Sequence, residues 1–256
     1  EENMKKKKLV ITIAVIIGIL AIVGIYFGYK SFLLSFHQLP DDSKQEYQNL
    51  LSGYEKRDTL EVKHSEALSE GMLTYKNVQF QNVVEGFEKT EEDDYVSYKL
   101  LDSNGNYQAY FTVSITEPFL DHVGKDDGTF VMGKDELDAV ESDDFAKRKG
   151  LKNDVDFFDY LIEHQNDKHD LFTPVKTIKE DHYVQLLSYI MLPSVDSVTV
   201  LEGDLEGYIL NNGDMKEVNI LEGGKRYVFS FIRLDYFTDD VIREFINTLV
   251  IDKSIQ

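Results

Sequence analysis

The sequence predicts an α+β protein in which helices cover both faces of an antiparallel sheet, preceded by one transmembrane helix. Three observations lead to this prediction. Residues 9–29 contain no charged side chain. Apolar and polar residues alternate along 107–115, which is the period of a strand with one buried face. Residues 241–250 instead repeat apolar side chains at helical spacing, so the chain combines both kinds of element.

The first element is the uncharged run at residues 9–29. Its 21 residues would form a helix about 31 Å long, which matches a bilayer core of about 30 Å. A secretory signal has a shorter apolar core and a small-x-small cleavage site, and no such site follows Gly28. The chain also lacks the cysteine that a lipoprotein signal requires. We therefore expect a signal anchor that is retained.

The charges that flank this helix predict its orientation. Four lysines precede it, namely Lys5, Lys6, Lys7 and Lys8, whereas Lys30 alone follows it. Positively charged flanks remain in the cytoplasm, so the four lysines are the topology-determining residues. The N-terminus is expected in the cytoplasm and the C-terminal domain outside the cell, with a single passage through the membrane.

Small residues share one stripe of the predicted transmembrane helix. Such a stripe lets a second helix approach closely, so it would suit a homodimer or a membrane partner. Glycine is also common in membrane helices without any packing role, and this alternative stays open. The candidate helix-packing residues are Ala14, Gly18, Ala21, Gly24 and Gly28.

Composition limits the partners and the compartment. Residues 31–256 carry 45 of the 47 acidic residues and 22 of the 27 basic ones, a net charge of −23. This charge repels nucleic acid and anionic lipid headgroups. Without cysteine the chain has no disulfide and no thiolate metal site, and it contains no N-glycosylation sequon. An outward-facing domain of this kind indicates a Gram-positive bacterial cell envelope.

The chain divides into four predicted regions: a cytoplasmic tail (1–8), the transmembrane helix (9–29), a juxtamembrane helical stalk and linker (30–71) and an extracytoplasmic α+β domain (72–256). Within the third region, residues 43–54 predict an amphipathic helix. The polar stretch that follows it, residues 55–71, is interpreted as a linker.

Hairpins and helices account for the predicted α+β domain. A hairpin joins 95–101 to 107–115 through the Asn-Gly turn of DSNGN (102–106), with Tyr107 in the buried set and Tyr110 facing outward. The run 183–192 is apolar on both faces, which predicts a central strand. The other predicted elements are helices at 134–149 and 155–164, the second capped by Asn153 or Asp154, hairpins around NNGD (211–214) and EGGK (222–225), and a last helix capped by Thr238.

Several segments carry a family resemblance that covers roughly residues 72–252. These are the hairpin turn DSNGN, the strands GDLEGYIL (203–210) and RYVFSFI (226–232), the helix DDVIREFINTL (239–249) and the opening segment LTYKNVQFQNVVEGFE (73–88). Together they resemble the Mog1/PsbP-like family, which includes the DcrB-type envelope proteins. The opening segment is similar to that family's F-x-x-P-x-G-F/W turn, except that Val83 or Val84 stands in place of proline. The resemblance implies a small non-enzymatic accessory or binding domain and carries over no site residues.

Motifs that would indicate catalysis or metal binding are absent from the sequence. His164 and His169 are five residues apart, which is not the spacing of a zinc-binding helix. Asp102 opens a loop that lacks the glycine and the glutamate of a calcium-binding EF-hand. Nucleophile motifs and phosphate-binding glycine motifs do not occur. We therefore predict no catalytic residue, no metal site and no cofactor, and the protein is predicted not to be an enzyme.

The function that the sequence favours is a membrane-anchored extracytoplasmic protein with a non-catalytic binding domain for a protein partner or a membrane complex. The hairpin Tyr95–Ile115, with Tyr110 on its outer face, is the first candidate for the binding surface. Two alternatives stay open. One is an extracytoplasmic hydrolase or metal-dependent enzyme built from scattered Asp, Glu and His. The other is an immunity-type protein that meets a basic toxin at the membrane.

Overall fold

The structure is a computed structural model that describes residues 2–36, 41–64, 71–123 and 142–252. Within those residues it contains six α-helices, one 3-10 helix and eleven strands. The helices are α1 (Glu2–Phe36), α2 (Asp41–Glu55), α3 (Ser142–Lys149), α4 (Asp154–His164), α5 (Val175–Met191) and α6 (Asp239–Thr248), with the 3-10 turn at Phe119–His122. The strands are β1 (Arg57–Val62), β2 (Met72–Tyr75), β3 (Val78–Gln81), β4 (Glu88–Glu91), β5 (Tyr95–Leu101), β6 (Tyr107–Thr116), β7 (Ser197–Gly203), β8 (Gly207–Asn212), β9 (Met215–Glu222), β10 (Lys225–Ile232) and β11 (Val250–Ile251).

The fold is α+β, as predicted, and its main sheet is mixed rather than antiparallel. Eight strands follow the order β1-β7-β8-β9-β10-β6-β5-β4, and a second sheet has the order β11-β3-β2. Every pair in the large sheet is antiparallel except β1 with β7, where Arg57 lies opposite Val198 in a parallel ladder. The prediction of a purely antiparallel sheet is therefore wrong at this edge.

Two buried clusters lie on opposite faces of the large sheet. Along β8, Ile209 belongs to the first cluster, whereas Tyr208 and Leu210 belong to the second. Successive side chains of a strand point to opposite faces, so the clusters are separated by the sheet. The first contains residues of α6 and the small sheet, and the second contains residues of α2, α4 and α5. Coverage of the whole of both faces by helices stays a prediction.

Residues 41–62 are part of this folded core, although the sequence predicts a stalk and linker there. Tyr47, Leu51 and Tyr54 of α2 are at most 1% exposed in the second cluster. The strand β1 then extends the sheet where a polar linker was expected. Its partner strand β7 lies far away in the sequence, so local patterns contain no signal for the pairing.

The segment 183–192 is a helix, and its prediction as a central strand is wrong. It forms the C-terminal part of α5. Four apolar side chains of this helix are 2% exposed or less, namely Ile178, Tyr183, Val184 and Leu187. An apolar run of this length is compatible with a buried helix as well as with a central strand.

Local signals predicted several of the other elements correctly, although strands β4 and β7 were not predicted. The Asn153 side chain accepts hydrogen bonds from the backbone N–H groups of Val155 and Asp156, which makes it the N-cap of α4. Both later hairpins form, as β8–β9 and β9–β10. Thr238 occupies the N-cap position of α6 without a side-chain capping bond. Of the predicted helix 134–149, the part before residue 142 lies outside the described residues.

Candidate functional site

The N-terminal helix α1 presents an exposed apolar surface and contacts the folded domain near its C-terminal end. Residues Val15–Ser35 are long and apolar enough to cross a membrane, and only 6% of this span's apolar window is buried. Length and composition are the grounds for this assignment, and an N-terminal signal sequence shares both. Near its C-terminal end the helix has two buried side chains, Lys30 at 2% and Leu33 at 5% exposed, while Phe32 between them stays 61% exposed.

Two contacts join this end of α1 to a turn of the domain. The Lys30 ammonium donates a hydrogen bond of 2.5 Å to the carbonyl oxygen of Leu171. The rings of Phe27 and Phe172 meet edge to face with their centroids 6.5 Å apart. Lys30 also lies 5.7 Å from the centroid of the Tyr26 ring. The helix α1 and the domain therefore pack directly against each other.

The candidate packing stripe of α1 faces open space. A Cβ atom added to Gly18, Gly24 or Gly28 would have no neighbour within 4 Å, and Ala21 is exposed. The stripe makes no contact with the domain at these positions. The side chains of Ala14 and of Lys5, Lys6, Lys7 and Lys8 lie outside the described residues, although their backbones belong to α1.

A tyrosine patch lies at the turn end of the β5–β6 hairpin. It consists of Tyr107, Tyr110 and Lys99, with the two ring centroids 6.4 Å apart. The Lys99 ammonium lies 5.9 Å from one ring centroid and 5.8 Å from the other, within cation–π range. Tyr107 is 63% exposed and Tyr110 is half-buried. The patch offers aromatic area, two hydroxyls and a positive charge on one surface.

The exposure of Tyr107 corrects its predicted place in the buried set. The β5–β6 register shifts between Leu100, which pairs with Ala109, and Leu101, which pairs with Tyr107. Such a bulge interrupts the alternation of faces at the end of the strand. Tyr107 therefore leaves the buried row of Ala109 and Phe111 and joins Tyr110 on the outer surface.

A cluster of titratable groups lies under the helices of the second buried cluster. The Asp181 carboxylate accepts a hydrogen bond of 3.4 Å from the Tyr160 hydroxyl and lies 3.3 Å from His169 Nε2. Burial raises the pKa of Asp181 and also the pKa of Tyr160. Next to them, the buried Glu180 forms ion pairs with Arg148 at 3.0 Å and Lys149 at 3.3 Å.

This cluster has charge partners but almost no free volume. The cavity lined by Tyr160, His164 and Asp181 measures about 10 Å³, whereas a single water requires about 10–15 Å³. His164 is itself bound to Asp167, with 2.7 Å between Nδ1 and Oδ2. No group of three potential metal ligands occurs among the side chains that the structure describes. The arrangement suits a structural role that joins α3, α4 and α5.

A second buried network connects α4 to the sheet. Asp154 is fully buried, and its carboxylate accepts hydrogen bonds from the Leu120 N–H at 2.9 Å and the Tyr208 hydroxyl at 2.8 Å. The Arg226 guanidinium lies 3.8 Å from the centroid of the Phe119 ring and donates to the same hydroxyl at 3.4 Å. Burial raises the pKa of Asp154. Sequence reasoning had considered this residue only as a helix cap.

An open polar groove of about 470 Å³ lies beside α6. Asp58, Asn211 and Thr199 contribute polar side chains from the strands. Lys216 forms an ion pair with Asp239 across it. The groove therefore has one internally neutralised charge pair and an open mouth.

Comparison with known proteins adds no family assignment. No protein-family model matches the chain, and no curated protein matches it in sequence.

Proposed function

We propose that this chain is a single-pass membrane protein whose extracytoplasmic domain binds a protein partner through the tyrosine patch. One observation carries the proposal: α1 exposes most of its apolar side chains and packs on the folded domain at Lys30, near its C-terminal end. An exposed apolar helix is stable when lipid surrounds it. The four lysines before it place its N-terminus in the cytoplasm by the positive-inside rule.

The tyrosine patch supports binding rather than catalysis. Tyrosine is enriched at protein interfaces because its ring contributes apolar area while its hydroxyl still forms hydrogen bonds. In this patch Lys99 packs over both rings, which restricts them before any partner arrives. The buried Asp181 cluster, by contrast, has too little cavity volume for a substrate. A Mog1/PsbP-like accessory domain in a Gram-positive envelope fits this proposal.

One introduced cysteine tests both parts of the proposal, because the natural chain contains none. Ser103 lies exposed in the β5–β6 turn, so S103C leaves the tyrosine patch unchanged. In intact cells a membrane-impermeant maleimide is expected to label S103C. A maleimide that carries a benzophenone should then capture a partner protein upon illumination.

A matched control uses the exposed Ser194, which lies before β7. We expect S194C to be labelled as readily as S103C but to give no specific adduct. Adding Tyr107→Ala and Tyr110→Ala to S103C should remove the adduct. Labelling of S103C only after lysis would contradict the topology, whereas equal capture at both cysteines, or none, would contradict the binding surface.

A further inference from the structure

A tight turn at residues 170–173 presents two apolar side chains outward. The Asp170 carboxylate accepts hydrogen bonds from the backbone N–H groups of Phe172 at 2.8 Å and Thr173 at 2.9 Å. These bonds lower the pKa of Asp170, the bond from Phe172 most of all. The turn is therefore held by its own acid at neutral pH. Phe172 is 83% exposed and Leu171 is 39% exposed.

The turn lies beside the outer part of the apolar helix. Its Leu171 carbonyl oxygen is bonded to Lys30, and its Phe172 ring contacts Phe27. Phe27 precedes Lys30 by three residues, which is about 4.5 Å further along the helix axis toward the membrane centre. Phe172 is thus at the level of a ring that belongs to the membrane-spanning segment.

The burial of Lys30 explains how this arrangement is tolerated. A lysine near the end of a membrane helix usually extends its ammonium toward the headgroups. Here the ammonium instead donates to the Leu171 carbonyl and lies against the Tyr26 ring. The positive charge also favours the ionised form of Asp170, which is among the causes of its lowered pKa. The turn therefore supplies the polar contacts that water or a headgroup would otherwise provide.

We propose that the turn 170–173 is a second membrane attachment, which inserts Phe172 and Leu171 into the outer leaflet beside α1. This inference rests on the proposed function, because it requires α1 to span the bilayer. Lipid is the expected occupant because the exposed face of the turn is continuous with the exposed apolar surface of α1. Aromatic rings are favoured at the boundary between headgroups and acyl chains.

Attachment at two points would restrict rotation of the domain about the helix axis. A domain joined to its anchor by a flexible stalk can present any face to the cell surface. A domain fixed by both α1 and the turn presents one face to the membrane and leaves the others for partners. The tyrosine patch would then be presented in a defined orientation relative to the bilayer.

Depth-dependent quenching of tryptophan tests this attachment, because the natural chain contains no tryptophan. The full chain carrying F172W is reconstituted in phosphatidylcholine vesicles whose acyl chains are brominated at shallow or deep positions. F27W serves as the control for the anchor, and Y107W, at the far hairpin, serves as the control for a site in water. A second reporter, L171W, guards against a local effect of replacing Phe172.

We expect loss of emission for F172W, L171W and F27W with shallow bromines, because the Phe172 and Phe27 rings are in contact, and no loss for Y107W. If F27W is quenched while both turn variants behave like Y107W, α1 spans the bilayer but the turn lies outside it, and the inference is wrong. If F27W is also not quenched, α1 does not span the bilayer, and the proposed function is wrong as well. If the emission of F172W is not quenched by bromine but changes with the protein-to-lipid ratio, a second copy of the chain rather than lipid covers the turn. This result also overturns the inference.

Discussion

At the scale of single residues, buried charged groups of the described structure join separate elements of the fold. Asp154 is the clearest case, since its carboxylate accepts one hydrogen bond from the 3-10 turn Phe119–His122 and another from strand β8. A carboxylate in a fully buried position loses its hydration, which disfavours the charged form. Burial raises the pKa of Asp154, and the two hydrogen bonds, which lower it, compensate only in part.

This balance predicts how stability depends on pH. The pKa of Asp154 is higher in the folded state than its ordinary value of 3.8, so the folded state binds this proton more tightly than the unfolded chain does. Its contribution therefore increases as the pH falls through the folded pKa, by up to about 1.4 kcal/mol for each unit between the two pKa values. We expect wild type to gain stability relative to D154N, which cannot titrate, as the pH is lowered toward 3.8.

Urea unfolding of both proteins over this range measures the difference, and the common effect of the other carboxylates cancels in it. A difference that moves in the opposite direction would mean that the bonds from Leu120 and Tyr208 outweigh burial.

At the scale of elements, α2 approaches the chain before β7 through a glycine. A Cβ atom at Gly53 would lie 1.8 Å from the carbonyl oxygen of Val195, which no real contact tolerates. Because this helix also carries Tyr47, Leu51 and Tyr54 into the core, moving it away affects more than one contact. Gly53 is therefore required for packing, although glycine inside a helix usually costs stability.

Gly53→Ala is expected to destabilise the protein by at least about 1–3 kcal/mol, the usual cost of overpacking a core. Helix propensity alone predicts the opposite sign, a gain of about 1 kcal/mol. Thermal or urea unfolding distinguishes the two. Ser52→Ala provides the neighbouring control, since Ser52 is exposed and bonds only within its own helix. If G53A is as stable as S52A, then α2 does not pack as closely against the Val195 backbone as the structure indicates.

The elements that the sequence predicted correctly are those whose signals are local. The turn DSNGN forms because Asp102 accepts bonds from the N–H groups of Asn104 and Asn106, all within five residues. Strand β1 and the end of α5 were missed because their identity depends on distant packing. The alternation of apolar and polar residues correctly predicted that Tyr110 faces outward. It wrongly predicted that Tyr107 is buried, because a bulge interrupts the alternation there. The contact between Lys30 and Leu171 joins residues 141 positions apart, and no local pattern reports it.

At the scale of the whole molecule, α1 contacts the strongly acidic domain directly, and α2 and β1 are parts of that domain rather than a stalk. α2 follows the anchor closely and fills the second cluster, and β1 extends the sheet beyond β7. In the proposed membrane arrangement the negative charge of the domain would lie close to headgroups that repel it where they are anionic. The contact between Phe27 and Phe172 would then act against that repulsion.

This organisation predicts that a fragment of residues 72–256 does not fold on its own, whereas residues 41–256 do. The shorter fragment lacks three side chains of α2 that are at most 1% exposed, each contributing about 1.5–3 kcal/mol of burial. Their sum is comparable to the total stability of a domain, about 5–15 kcal/mol. It also lacks β1, so β7 becomes an open edge. A stalk, by contrast, could be removed without loss of structure. We expect cooperative urea unfolding and dispersed amide resonances for the fragment 41–256, and neither for the fragment 72–256. If the fragment 72–256 folds cooperatively, the interpretation of residues 30–71 as a stalk and linker is correct after all.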